Sequence, residues 1–187
     1  MKANGPQKVR YMKGFTRWIE NGYAYVDGTE GTFKIDGTLF HHRNNYPAYA
    51  VGGLSGALEA VYLLHGTDFR ISFEGHQHLK NALLAMRTYC NLLNWPLSLS
   101  GRHPEGKGKL NPEHLGLLAL AGTPDGSKPV DKEMAEAYLR LIPKKTTRAL
   151  NFEKEGFEPE KSPNGNWTYN YSCLNVQRRK DWMVSAM

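Results

Sequence analysis

Histidine, tyrosine and arginine are the side chains that move protons and hold anions near neutral pH, and this sequence gathers them in two places. His41-His42 is followed closely by Tyr46 and Tyr49, and further along Arg102 stands beside His103 in a glycine-rich polar stretch. A histidine just ahead of a helix and a tyrosine in that helix's first turn can be folded toward one cleft, where they would serve general acid–base chemistry. A solvated loop histidine and a half-buried tyrosine fit the same residues. Arg102 alone says only that a polar loop carries a cation. A third group, His76 and His78, sits two residues apart in a helical pattern, which sends the rings to different faces and argues against a shared metal. No metal-ligand spacing is legible elsewhere.

Those residues need elements to hold them. Pro47 suits a first helical position, and Val51, Leu54, Leu58, Val61 and Leu64 follow at three- and four-residue intervals, so a helix is predicted from Tyr46-Pro47 to near His65-Gly66. A second is predicted over Glu74 to Asn94, with Leu79, Leu83, Met86, Cys90 and Leu93 on one stripe and Trp95-Pro96 as its stop. After a loop from Ser100 to Lys109, two shorter helices are predicted at about Asn111 to Ala121 and Asp131 to Leu141, and the four make a row of antiparallel hairpins. The segment 1–40 reads as irregular, on the turn pairs Asp27-Gly28, Glu30-Gly31 and Asp36-Gly37. The segment 144–165, broken by Pro159, Pro163 and Gly165, reads as a linker between the helical part at 41–143 and an extended part at 166–187. In that last part Trp167, Tyr169, Tyr171, Cys173, Leu174 and Val176 alternate roughly with polar residues and Trp182-Met183-Val184 is apolar, a strand pair that reads as the beginning of a larger sheet. The expected class is α+β.

Composition narrows the partners. With 40% hydrophobic and 22% charged residues over 187 positions, the chain is expected to fold as an ordinary globular domain. A formal charge of +6 and a pI near 9.3 favour polyanions. The basic groups Lys107/Lys109, Lys144/Lys145/Arg148 and Arg178/Arg179/Lys180 are short and read as solvated surface. No ribonucleoprotein, zinc-knuckle, helix-turn-helix or basic-helix signature supports nucleic acid as the partner. No run approaches the ~20 apolar residues of a membrane span, and Met1-Lys2-Ala3-Asn4-Gly5-Pro6 leads into charge rather than an apolar signal core. Cys90 and Cys173 read as small buried hydrophobes, with a disulfide as the lesser alternative.

The stretch from Asp36-Gly37-Thr38-Leu39-Phe40-His41-His42 through Asn45-Tyr46-Pro47-Ala48-Tyr49 resembles the "DGT-x-F-x-H, then N-Y-P-x-Y" run of the chondroitin ABC lyases of polysaccharide lyase family eight. Tyr62-Leu63-Leu64 with Thr67 and Phe69, then Leu79-Lys80-Asn81-Ala82, Leu99-Ser100-Gly101-Arg102-His103-Pro104 and Arg179-Lys180-Asp181-Trp182-Met183-Val184 are similar to the same family in the same order. The resemblance implies the last helices of an α/α-toroid built from antiparallel hairpins, followed by the first strands of an antiparallel β-sandwich domain. It implies a lyase that cleaves chondroitin or dermatan sulfate by β-elimination, with His42, Tyr49 and Arg102 in the catalytic positions and His41, Asn45, Tyr46 and His103 toward the substrate. A glutamate that completes the family's set lies further along than this chain reaches, so a glycosaminoglycan-binding piece without turnover is the alternative. Where the chondroitin ABC enzymes carry an arginine before the catalytic histidine, this chain has His41. The implied partner is a sulfated glycosaminoglycan, with neither nucleic acid nor membrane and with the oligomeric state open. No cofactor is implied; some relatives respond to divalent cations, for which no ligands can be placed. Secretion or a periplasmic location is the implied setting.

Overall fold

The computed structural model describes residues 4–103, 105 and 108–187; Met1-Lys2-Ala3, Pro104 of the arginine motif and Lys107 of the first basic group lie outside the described residues. The segment expected to be irregular begins instead with a helix, α1 (Gly5–Gly22). The Asn4 side chain accepts from the Gln7 backbone N–H at 3.0 Å, and the Gln7 side chain accepts from the Asn4 N–H at 3.1 Å, a reciprocal cap with Pro6 in the first turn. Only Thr16 of this helix is buried, and Trp18 stays 74% exposed, although Tyr11, Phe15, Trp18 and Ile19 recur at helical spacing. From Tyr23 to Phe40 the chain is non-helical, as the turn pairs predict, with Gly28, Gly31 and Gly37 all at positive φ. This loop closes around Lys34, which is buried: its ammonium donates to the Val26 carbonyl at 2.8 Å and to the Glu30 carbonyl, and lies 4.7 Å from the Phe40 ring centre. Burial lowers the Lys34 pKa, while Asp27, Glu30 and Asp36 oppose that shift.

Two short strands, β1 (Phe40–His41) and β2 (Asn44–Asn45), form a hairpin that leads directly into α2 (Pro47–Leu64), the helix predicted from Pro47. Its predicted stripe points inward: Leu54, Leu58 and Val61 are buried. Helix α3 (Phe73–Tyr89) starts where the Ser72 side chain accepts from the Gly75 N–H at 3.2 Å. It ends at Cys90, short of the Asn94 expected from its stripe, because Asn91 and Asn94 exchange backbone hydrogen bonds at 2.9 and 3.1 Å around Leu92 at φ 52°. Leu93 still packs on the core from this turn, so the apolar spacing ran on past the real end of the helix. Helices α4 (Pro112–Leu120) and α5 (Lys132–Leu141) match the two short predicted helices, and α4 packs against both α5 and α2.

The linker reading of 144–165 needs the same correction as the N-terminal segment. Helix α6 (Thr147–Lys154) lies within it, capped by Thr146, whose Oγ1 accepts from the Ala149 N–H at 3.1 Å, and it buries Ala149 and Phe152. About two turns with two buried apolar residues is too little for periodicity to show. Strands β3 (Gly165–Tyr169), β4 (Leu174–Arg179) and β5 (Trp182–Ala186) form an antiparallel meander, with Trp167 opposite Val176 and Gln177 opposite Val184. The class is α+β. The meander docks on α3: the Tyr169 hydroxyl donates to the Ala85 carbonyl at 3.5 Å, and Arg178 donates to the Thr88 carbonyl at 3.0 Å and to Cys90 O. Arg178 is therefore a buried tie between sheet and helix rather than solvated surface. Cys90 is buried as expected, whereas Cys173 is exposed, at φ 51° between β3 and β4, and both thiols are free. Among the described residues no helix is long and apolar enough to cross a membrane.

His76 and His78 both serve packing. The His78 ring pairs with the Tyr23 carbonyl at 2.8 Å and stacks on Tyr25 at 3.5 Å, while His76 is buried. Burial, with Arg70 nearby, holds the His76 pKa down at about 4. Between its unfolded value of about 6.5 and that folded value, the unfolded chain takes up a proton that the folded chain refuses. Stability is then lost as pH falls through this window, by up to roughly 3 kcal/mol. Denaturation midpoints followed from pH 7 to 4 should fall more steeply for the native protein than for His76→Gln, and equal slopes would refute this role.

Candidate active site

The position of His42 is made by the tightness of the β1–β2 hairpin. With Phe40 opposite Asn45 and His41 opposite Asn44, only His42 and Arg43 remain for the turn, at φ 55° and 63°. Two consecutive left-handed residues are what a two-residue hairpin asks for, usually met by Asn-Gly. Two bulky side chains there cost of order 1 kcal/mol each, a strain that persists only where the surroundings hold it. The surroundings are Asn45 and Tyr46, both buried just after the turn, with the Tyr46 N–H bonded to the Leu39 carbonyl at 3.0 Å. His42 is thereby presented outward, exposed, over the start of α2.

Tyr49 stands one turn into α2 and meets both histidines. The His41 ring lies parallel to it, with centres 4.7 Å apart and planes 3° from parallel; the His42 ring meets it edge-on at 5.6 Å. Tyr46 packs against Tyr49 from below at 4.6 Å. Across the cluster the Arg102 guanidinium donates to the Tyr49 hydroxyl oxygen at 2.6 Å. That arginine comes from a separate loop, and Gly101 sets its approach. Gly101 has φ 58°, and a Cβ on it would fall 2.5 Å from Cζ of Tyr46, so the loop backbone lies flat on the Tyr46 ring.

His42, Tyr49 and Arg102 are thus brought together from a hairpin, a helix and a loop. His41 joins them by stacking. Asn45 and Tyr46 lie beneath the cluster, at 1% and 6% exposure, Asn45 beside the buried Tyr89 hydroxyl, so they support the reactive surface from within. His103 is half-buried, with its Nε2 enclosed and without a hydrogen-bond partner among the described residues. Two features were not visible in the residue pattern: the seat of Gly101 on Tyr46, and an apolar cavity of about 260 Å³ beside His41 and Tyr49, lined also by Tyr23, Phe33, Phe40 and Leu54. Among the described residues no group of three histidine, cysteine or carboxylate side chains is placed to hold a metal ion. The arrangement offers a phenol fixed by a cation, two imidazoles in contact with it, and an open face. That is equipment for moving a proton beside an anionic group.

A family model described as "Lyase, catalytic" matches residues 1–148. The chain is 47% identical, over its whole length, to a chondroitin sulfate ABC exolyase of Bacteroides thetaiotaomicron, and 37% identical over 92% of its length to a chondroitin sulfate ABC exolyase of Proteus vulgaris. It is also 27% identical over 99% of its length to a chondroitin sulfate ABC endolyase of Proteus vulgaris. It spans about a fifth of the length of these curated relatives, at 20%, 17% and 18%. The matched span takes in the hairpin, α2 and the Arg102 loop, and on that match the chain belongs to the catalytic-lyase family to which its chondroitin sulfate ABC lyase relatives point.

Proposed function

We propose that this chain carries the reactive centre of a glycosaminoglycan lyase that cleaves chondroitin or dermatan sulfate by β-elimination at the uronate. The observation that carries the reading is the Arg102–Tyr49 hydrogen bond at 2.6 Å, which ties the phenol oxygen to a permanent cation. The C5 proton of a uronate is weakly acidic while the neighbouring carboxylate is ionised, so charge there must be offset as the proton leaves. In the proposed step Tyr49 takes the C5 proton, the C4–O4 bond breaks, a C4–C5 double bond forms, and the departing O4 is reprotonated from the same phenol. Arg102 stabilises the oxygen while it carries charge, and His42, on the edge of the Tyr49 ring, is the base placed for the C5 epimer whose proton lies on the opposite face. His41 and His103 shape the groove that receives the sugar, over the floor formed by Tyr46 and Asn45.

Within this reading the helices are a closing section of an α/α-toroid and the meander opens a β-sandwich, the whole acting outside the cytoplasm on a sulfated polysaccharide. No cofactor enters the step. The test is the mass of the products: at each cut, elimination leaves the fragment with the new non-reducing end lighter by one water than hydrolysis would, with an unsaturated uronate at that end, while its partner has the ordinary mass. Product pairs of hydrolytic mass would overturn the reaction class. A folded chain that binds chondroitin sulfate and yields no fragments would instead make it a binding piece of such an enzyme.

A further inference from the structure

We propose that the apolar cavity beside His41 and Tyr49 is a subsite for the acetamido methyl of the hexosamine at the scissile bond, so that the N-acyl group is read together with the uronate; the inference rests on the proposed substrate class. The cavity, of about 260 Å³, is continuous with the reactive cluster, because the stacked pair of His41 and Tyr49 belongs to both. It exists because α2 carries small residues along this side. Ala50, Gly53 and Ala57 line it at three- and four-residue spacing, and a Cβ on Gly53 would meet nothing within 4 Å. Leu54 and Phe33 bound it with buried carbon. Besides the reactive pair, two polar side chains reach the lining. The Tyr23 hydroxyl is committed, donating to the Ala57 carbonyl at 3.1 Å, and Thr32 is exposed.

Such a lining selects by polarity. A sugar hydroxyl, carboxylate or sulfate placed inside would give up its water without gaining partners. A chondroitin chain carries a single kind of methyl group, on the acetamido substituent at C2 of each hexosamine. Breaking the C4–O4 bond of the uronate leaves O4 on C1 of that hexosamine, the carbon next to C2. Covalent structure therefore holds the methyl a few bonds from the oxygen that Tyr49 reprotonates, and the Tyr49 ring forms part of the cavity wall. A cavity of about 150 Å³ holds a benzene-sized guest, so this one has room for the acetamido group with its methyl inside and its amide toward solvent. An apolar hollow with a few polar groups at its edge is the usual form of a small-group subsite.

The test compares chondroitin oligosaccharides with the same oligosaccharides deacetylated and then N-formylated, which lack only the methyl, in binding to the full chain by titration and in kcat/KM where turnover occurs. The acetyl form should be preferred by about tenfold, the worth of one methyl in an apolar pocket, and NMR cross-relaxation should join the acetyl methyl to the Leu54 side chain. Gly53→Leu, which fills the cavity, should abolish the preference, while Gly52→Leu, on the same helix outside the lining, should keep it. Equal affinity of the native protein for both acyl forms would overturn the proposal, as would a preference that survives Gly53→Leu in a folded chain or methyl contacts that map elsewhere. The elimination reading stands or falls separately. Acetyl-dependent binding without unsaturated uronate loses the reaction and keeps the subsite; equal cleavage of both forms keeps the reaction and loses the subsite.

Discussion

Replacing Tyr49 by phenylalanine should remove at least about a thousandfold of the elimination rate and leave the fold intact. The size follows from the role: a positioned acid–base group supplies about 10²–10⁴, and here one phenol both takes and returns the proton. The fold should survive because the contacts that seat the ring are made by its carbon skeleton. His41 stacks on its face at 4.7 Å and Tyr46 supports it at 4.6 Å, and phenylalanine keeps both. What is lost is the oxygen that Arg102 holds. Initial rates on chondroitin sulfate, taken beside circular dichroism and a melting curve, separate the two effects. A variant that melts like the native protein and retains near-full rate would remove Tyr49 from the chemistry.

The second large effect is expected at a residue that touches no substrate. Gly101→Ala meets two penalties at once: a left-handed backbone that disfavours a Cβ, and a Tyr46 ring atom 2.5 Å from where that Cβ would sit. The backbone term alone costs about 1 kcal/mol. Gly28, with φ 67° and open space where its Cβ would go, isolates that term. Gly101→Ala should therefore destabilise the chain by about 1–3 kcal/mol more than Gly28→Ala, because either Tyr46 or the loop must move. Movement of the loop carries Arg102 away from Tyr49, and a misplacement of about 1 Å costs about a hundredfold in rate. Equal melting shifts and an unaltered rate in the two variants would show that the loop's seat on Tyr46 does not govern the arginine.

Helix α2 was legible because Pro47 marks its start and its buried residues recur at helical intervals. Helix α1 has as clear a start, Asn4 and Gln7 capping each other, and Tyr11, Phe15, Trp18 and Ile19 recur at helical intervals, so its signal was present in the sequence even though Tyr11, Phe15 and Trp18 stay exposed in the fold. Helix α6 is hidden because it is short and charged, and Thr146 rather than periodicity begins it. At the site, the seven-residue interval from His42 to Tyr49 suggested a shared cleft, but nothing local could bring in Arg102, 53 residues beyond Tyr49. That link came from the ordered family motifs, and the fold shows its physical basis in Gly101 lying on Tyr46. The parallel stack of His41 on Tyr49 could not be read from order along the chain, since it depends on the left-handed turn at His42 and Arg43.

The most direct test of the central claim follows the ultraviolet absorbance of unsaturated uronate when the folded chain meets chondroitin sulfate, with Arg102→Ala run beside it. The account predicts a rise that falls by about a hundredfold or more when the guanidinium is removed. A rise of equal rate in both proteins would contradict it, because the reaction would then proceed without the cation that holds the Tyr49 oxygen.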